Sequence, residues 1–549
     1  MRTKNYQKLL YLAPYLVFII VIVLVMNSQL RHHVTIIVGD GYFHFTRIYD
    51  AAQQIKTHNF SYFQMNWGFD QSGRIVNAVY GPMFDYIMGF LLLLSGTWFK
   101  FQILTGFLIS FAAGAGMYQL MKKVNDNLLI DTLVSLVYLC EISWWNQGAT
   151  FGSITAMMLP YVLLVAIRMI QNWQKPISWL QLGLTMSIVA QIHLLSTVLF
   201  TIMLIPFTIA GFCHTEKKKS MVYNLLGAIA LAIVLTANVW GALIYFHLHD
   251  IMANPIETNM VNTAVGWPNM IELFWGLALF QIIYVLFHLR ESLLNDIVTL
   301  TGMIFLVVST KLLPWNAIQT AYPVLKSTFQ GPRRLIIEAL PLLLLGVGLT
   351  IKFMVQRDHN YTGTWCAFLI VYLMASFNSR LWVNNFYTTN SVQSTIPMQK
   401  EARADNSNKI FYYENVPAPD YLPQVKNISG TKKAAIYERD VVKRQNQFKH
   451  RVLSGGRLEL EWTSPKTSYV KLPLVMYRDS RLIVNNHLIK DPDKNEIGVP
   501  TVNQIKGENK AILSFQAPNW WQPLFYVVSL SWLITIALCI IKKLNIKED

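Results

Sequence analysis

"LLYLAPYLVFIIVIVLVMN", Leu9 to Asn27, is an uncharged apolar run of the length a helix needs to cross a hydrocarbon core about 30 Å thick. Similar runs recur down the chain to "PLFYVVSLSWLITIALCII", Pro523 to Ile541. Their number, read by length and apolar content, is about twelve. The first follows "MRTKNYQK" without a small-residue cleavage site, so it reads as a retained anchor with its N-terminus in the cytoplasm.

Composition agrees. Of 549 residues, 53% are hydrophobic and only 14% charged, and the mean hydropathy is +0.34, which is too apolar for an ordinary soluble enzyme. The chain reads as mainly α: a polytopic transmembrane helical protein of the cell membrane.

Orientation follows from the basic loops, which stay on the cytoplasmic side. "MKKVND" from Met121, "HTEKKKS" from His214, "FHLRESLLN" from Phe287, "KFMVQRDHN" from Lys352 and the closing "KKLNIKED" fit one scheme, with N- and C-termini both cytoplasmic. One apolar run breaks it. "GPMFDYIMGFLLLLSGTWF", residues 81–99, would invert every later marker if it spanned. With Asp85 inside and aromatics at its ends, it reads instead as a helix in the outer interface.

The scheme places residues 29–100 in an outer loop of a polytopic membrane domain, 1–380. From 381 to 520 the character changes. "GRLELEWTS", "YVKLPLVMYRD", "RLIVNNHLI" and "KAILSFQAP" alternate with period two between Asn, Asp, Gly and Pro clusters, the pattern of an antiparallel β-sandwich. That domain is expected outside the membrane. Residues 521–549 then form the last span and a cytoplasmic tail.

Several classes drop out. The four cysteines lie in apolar segments, which excludes a disulfide framework or a cysteine zinc site in the outer domain. The net charge of +16 reflects cytoplasmic loops and a basic outer domain. No nucleotide-binding glycine motif and no aromatic RNA-binding signature occurs, so no nucleic acid partner is expected.

Polar chemistry gathers outside the first span. In "GDGYFHFTRI", Gly39 to Ile48, a helical reading puts Asp40, His44 and Arg47 on one face. A second concentration is "QGPRRLII", where Arg333 and Arg334 stand at the outer mouth of a span against the positive-inside trend. They suit a phosphate, with Lys326 nearby, or anionic headgroups. Asp70 and Arg74 read as a local ion pair, and His193 as a residue packed at a helix break.

An anchor helix followed by an outer loop that opens on Asp and His resembles the GT-C superfamily of integral-membrane glycosyltransferases. "GDGYFHFTRIYDAAQQIKTHNF", "VYGPMFDYIMGFLLL", "GMYQLMKKV", "TFGSITAMMLPYVLLVAIR", "QIHLLSTVLF", "TFQGPRRLII" and "PDYLP" look most like bacterial membrane proteins called "6-pyruvoyl-tetrahydropterin synthase-related". Nothing in this sequence offers a soluble pterin-synthase fold or its histidine-rich metal site.

The resemblance implies transfer of a sugar from a polyprenyl phosphate to a cell-envelope glycan acceptor, with Asp40 as general base. It implies a second carboxylate of the site, for which Glu141 is the candidate with a supporting hydrogen bond as the alternative, and it leaves a divalent cation open. The departing phosphate needs fixed cations, for which His44, Arg47, Arg333 and Arg334 are the candidates. Each has a plainer reading: Asp40 as a helix cap, His44 as its hydrogen-bond partner, Arg47 as a snorkelling cation. Tyr412, Tyr413 and Tyr421 are candidate acceptor contacts on the outer domain. The competing function is a non-enzymatic transporter or assembly protein that binds lipid-linked saccharides; no internal repeat of the kind transporters show is visible.

Overall fold

The computed structural model describes residues 2–33, 35–36, 40–142, 151–252, 255, 257–266, 272–357, 362–390, 418–425 and 428–548. The chain is mainly helical, with a small antiparallel sheet region near its end. Among the described residues eight helices are long and apolar enough to cross a membrane: Leu12–His32, Trp98–Val124, Ile154–Gln171, Leu194–His214, Lys218–Leu235, Pro332–Arg357, Thr362–Asn385 and Trp521–Lys542. Four shorter apolar helices accompany them.

Local breaks in the apolar runs keep helices below spanning length. The apolar stretch around His193 is a short helix, Trp179–Ile192, and a long one, Leu194–His214, separated by extended backbone at His193. His193 caps the second helix, its Nδ1 accepting from the Ser196 amide at 3.3 Å. It is the packed residue at a helix break that its setting suggested. The apolar run at 81–99 yields a helix of 13 residues, Met83–Ser95, about 20 Å long and short for a span.

The chain divides into two compact units. The first comprises Met1–Ile36, Gln102–Ala232 and Thr258–Ser394. It contains helix α1 (Arg2–His32), most of the helix Trp98–Val124, and the helices Leu128–Ile142, Ile336–Arg357 and Thr362–Asn390. Ile336–Arg357 is its central helix, with a continuous buried stretch from Glu338 to Ile351. Here Gly346 permits close approach, because a Cβ would stand 2.7 Å from Gln281 Nε2. Gln281 in turn donates to Asn295 at 3.0 Å and Thr299 at 2.8 Å, so these three polar side chains are joined to one another inside an apolar surrounding.

The second unit comprises Ile37–Phe101, Ile233–Glu257 and Thr395–Asp549. After α1 in chain order come α2 (Gly41–Thr57), α3 (Val76–Tyr80) and α4 (Met83–Ser95). Helices α2 and α4 touch backbone to backbone at Gly89, where a Cβ would meet the Ala52 nitrogen at 2.7 Å. Phe63, Ile75, Phe246, Tyr437, Tyr477 and Trp521 share one apolar core, and Phe63 stacks on Phe515 with ring centres 4.9 Å apart.

Among the described residues the sheets lie in 449–515, after the composition shift at 381: the helix from Thr362 runs on to Asn390, and another, Gly430–Asp440, precedes β1. Strands β1 (Lys449–Leu453), β2 (Arg457–Ser464), β3 (Ser468–Lys471), β4 (Ser480–Val484), β5 (His487–Ile489), β6 (Asp493–Lys494), β7 (Pro500–Gln504) and β8 (Gly507–Phe515) form two sheets, ordered β1-β2-β8-β4-β5 and β3-β7-β6. Pairing Leu458 with Leu513 and Leu460 with Ala511 aligns alternate apolar residues of β2 and β8 on one face, and these join Val502 of the other sheet in a common core. "RLIVNNHLI" is a hairpin, not one strand. Asn485 and Asn486, at φ 47° and 68°, make the two-residue turn that left-handed backbone allows. "YVKLPLVMYRD" is strand only up to Lys471, since Pro473 has no N–H for a ladder.

Candidate functional site

Asp40 directly precedes α2 and is exposed. Its backbone carbonyl accepts from the His44 amide at 3.1 Å, which starts the helix. Its carboxylate makes no capping hydrogen bond. The local geometry therefore removes the capping reading: helix initiation here uses the Asp40 backbone and leaves the side chain to other work.

One turn further in, the polar face of α2 is buried. Arg47, 1% exposed, reaches Asp85 of α4 at 2.5 Å, and Asp85 is fully buried. The Arg47 Nε donates to Asn77 at 2.9 Å, and its Nη1 lies 3.3 Å from His44 Nδ1. An arginine can only donate, so His44 Nδ1 accepts, and the neutral ring carries its proton on Nε2. The guanidinium also lies 4.4 Å from the centre of the Tyr80 ring, a cation–π distance.

One expectation changes. Arg47 neither snorkels nor presents an open fork; its donors are engaged by Asp85, Asn77 and His44. Asp85 is turned inward to Arg47. Burial pushes the Asp85 carboxyl up to about 7, against the pull of Arg47, and its Oδ1 has no hydrogen-bond partner among the described residues.

Tyr421 is brought to the same place. Its hydroxyl is 3.3 Å from that of Tyr80, and the rings meet edge to face with centres 5.5 Å apart. Burial raises the Tyr80 hydroxyl above its ordinary range; Tyr421 and Arg47 oppose this, and the negative charges of Asp420 and Asp40 add to it. Asp40 is thus an exposed carboxylate within electrostatic reach of the Tyr80 hydroxyl, which belongs to a buried cluster with His44, Arg47 and Tyr421. Such a group can accept a proton from a hydroxyl brought to it. Tyr80 was missed from sequence because α3 is a single short turn, too brief for periodicity to mark its faces.

A second carboxylate, Asp50, also escaped notice. It is fully buried, and its Oδ1 accepts from the backbone amides of Asn66, Trp67 and Gly68 at 2.9, 2.8 and 3.0 Å, while its Oδ2 takes Gln54 Nε2 at 2.6 Å. Burial raises this carboxyl and the four hydrogen bonds counter it. Asp50 therefore fastens the 64–74 loop to α2. Arg74 helps to hold that loop, donating to the carbonyls of Ala418 and Asp420 and stacking on Phe69 at 4.5 Å. It does not form the ion pair with Asp70 that their spacing suggested; the Asp70 carboxylate instead accepts from the Tyr437 hydroxyl at 3.2 Å.

The remaining candidates belong to the first unit or lie outside the described residues. Glu141 is buried and accepts from Ser376 Oγ at 2.7 Å. Arg333 is exposed. Arg334 is half-buried and donates to Gln330 at 2.6 Å. Tyr412 and Tyr413 are outside the described residues. Among the described residues no group of three His, Cys, Asp or Glu side chains is placed to hold a metal ion.

No family model matches this chain, and no curated protein matches it.

Proposed function

We propose that this chain is a multi-pass membrane glycosyltransferase acting at the outer face of the cell membrane. In this reading an acceptor hydroxyl on a cell-envelope glycan approaches Asp40. Its oxygen bonds to the anomeric carbon as its proton passes to the carboxylate; the bond from that carbon to the phosphate oxygen breaks, and polyprenyl phosphate leaves with the electron pair. Attack opposite the leaving group inverts the anomeric centre. A base held within hydrogen-bond reach contributes roughly 10²–10⁴-fold to such a step.

The observation that carries this reading is the state of the Asp40 side chain: exposed, uncommitted to capping and felt electrostatically by the buried Tyr80 hydroxyl. His44, with its proton on Nε2, is assigned as a donor to the carrier phosphate. Arg47 is reassigned as a positioning residue, because it acts through His44 and Tyr80. Arg333 and Arg334 enter on the sequence argument alone, as do the cytoplasmic termini and the outer placement of the sheets. Tyr421 is the acceptor contact this reading retains.

The test uses the full-length protein in vesicles containing a radiolabelled sugar on polyprenyl phosphate, with an envelope glycan fraction outside. Label should move to the glycan as free polyprenyl phosphate appears in equal amount. A donor that binds, or crosses the bilayer, with its sugar–phosphate bond intact would contradict the reading and favour the transporter.

A further inference from the structure

The first unit contains a polar cavity built by different residues. Gln29 lies near the C-terminal end of α1, Gln102 near the N-terminal end of Trp98–Val124, and Arg380 and Asn384 near the C-terminal end of Thr362–Asn390. Gln29, Gln102, Arg380, Asn384 and Ser110 line a cavity of about 30 Å³, walled otherwise by apolar side chains such as Ile22 and Leu139. That is room for about two waters or one compact group.

The amides are already engaged. Gln29 donates to Gln102 at 2.5 Å, Gln102 both accepts from and donates to the Ile36 backbone at 2.7 and 2.6 Å, and Asn384 donates to the Val25 carbonyl at 2.7 Å. Arg380 differs. It is 5% exposed, and its Nε and Nη1 have no hydrogen-bond partner among the described residues. Glu141 is near enough to be felt but forms no ion pair with it; one Glu141 oxygen is held by Ser376. A cation buried this fully in the protein is costly unless something meets its donors. A compact group that only accepts, and is anionic, satisfies both the charge and the donors on the two orphan nitrogens.

We propose that this cavity binds a phosphate-type oxyanion on Arg380, with Gln29, Gln102 and Ser110 as the neighbouring polar wall. The inference does not depend on the reading of Asp40. A phospholipid headgroup with its tail along the apolar wall and free inorganic phosphate share this chemistry.

The experiment uses the full-length protein in uncharged detergent, titrated with inorganic phosphate in one arm and with short-chain phosphatidylglycerol in the other, and read by native mass spectrometry. Saturable binding in one arm names the source. Arg380→Met should weaken it by 10-fold or more, and Arg380→Lys by less. Ser110→Asp, which places a carboxylate in the cavity while leaving Arg380 intact, should also displace the ligand, so the test survives if Arg380→Met does not fold. Unchanged binding in Arg380→Met or in Ser110→Asp overturns the proposal, as does the absence of saturable binding of both probes to the wild type.

Discussion

Arg47 shows what spacing can and cannot say about a residue. Its position three after His44 put the two on one face, and they are 3.3 Å apart in the structure. What spacing could not supply was Asp85, 38 residues away on another helix, because partner choice is tertiary. The pair makes a definite expectation. Removing one member of a buried ion pair leaves an uncompensated charge and costs about 3–5 kcal/mol, whereas an apolar replacement of both is often nearly neutral. Arg47→Met should therefore lower stability sharply, and Arg47→Met with Asp85→Leu should recover much of the loss. Thermal melts of the two single variants and the double variant check this; additive losses would mean that the two residues are not coupled. Asp40 gives the complementary lesson: whether an aspartate caps a helix is decided by backbone angles and side-chain direction, which the letters alone do not contain.

At the scale of elements, the strands were legible where alternation was strong and Pro or Asn marked their ends, as in β2 and β8. The β4–β5 hairpin was hidden within one quoted stretch, since its turn is two asparagines and not a glycine pair. The helix Gly430–Asp440 ends in a polar cluster that sequence reading passed over. Burial raises the Asp440 carboxyl, but hydrogen bonds from Arg439, Lys471 and Asn495 prevail and hold it down to about 2. With a folded-state value below that of the unfolded chain, near 3.9, its contribution is present above about pH 4 and is lost as pH falls toward 2. Wild type should thus melt above Asp440→Asn at pH 5, by the equivalent of about 1.5–3 kcal/mol for charge-assisted hydrogen bonds, and the difference should vanish near pH 2. A difference independent of pH would assign the effect to packing.

For the whole molecule, hydropathy gave the class of fold directly, because each long apolar run becomes a helix and eight of them reach spanning length. The count was less legible: helix breaks at His193 and Thr236 depend on local geometry that a window average smooths away. The proposed topology is tested with a reporter cysteine at Tyr469, an 80% exposed position on β3, in a background with Cys140, Cys213, Cys366 and Cys539 replaced. An impermeant reagent should label it from outside intact cells, and labelling only after lysis would invert the topology. The central claim is that Asp40 is the base of a sugar transfer, and the most direct measurement is the single-turnover rate of purified Asp40→Asn with the lipid-linked donor. Asn keeps the size and removes the proton acceptor, at an exposed position whose side chain makes no capping bond. Expected is a fall of roughly 10²-fold or more in turnover, with donor binding and melting temperature unchanged; transfer at the wild-type rate would contradict the assignment of Asp40 and the function built on it.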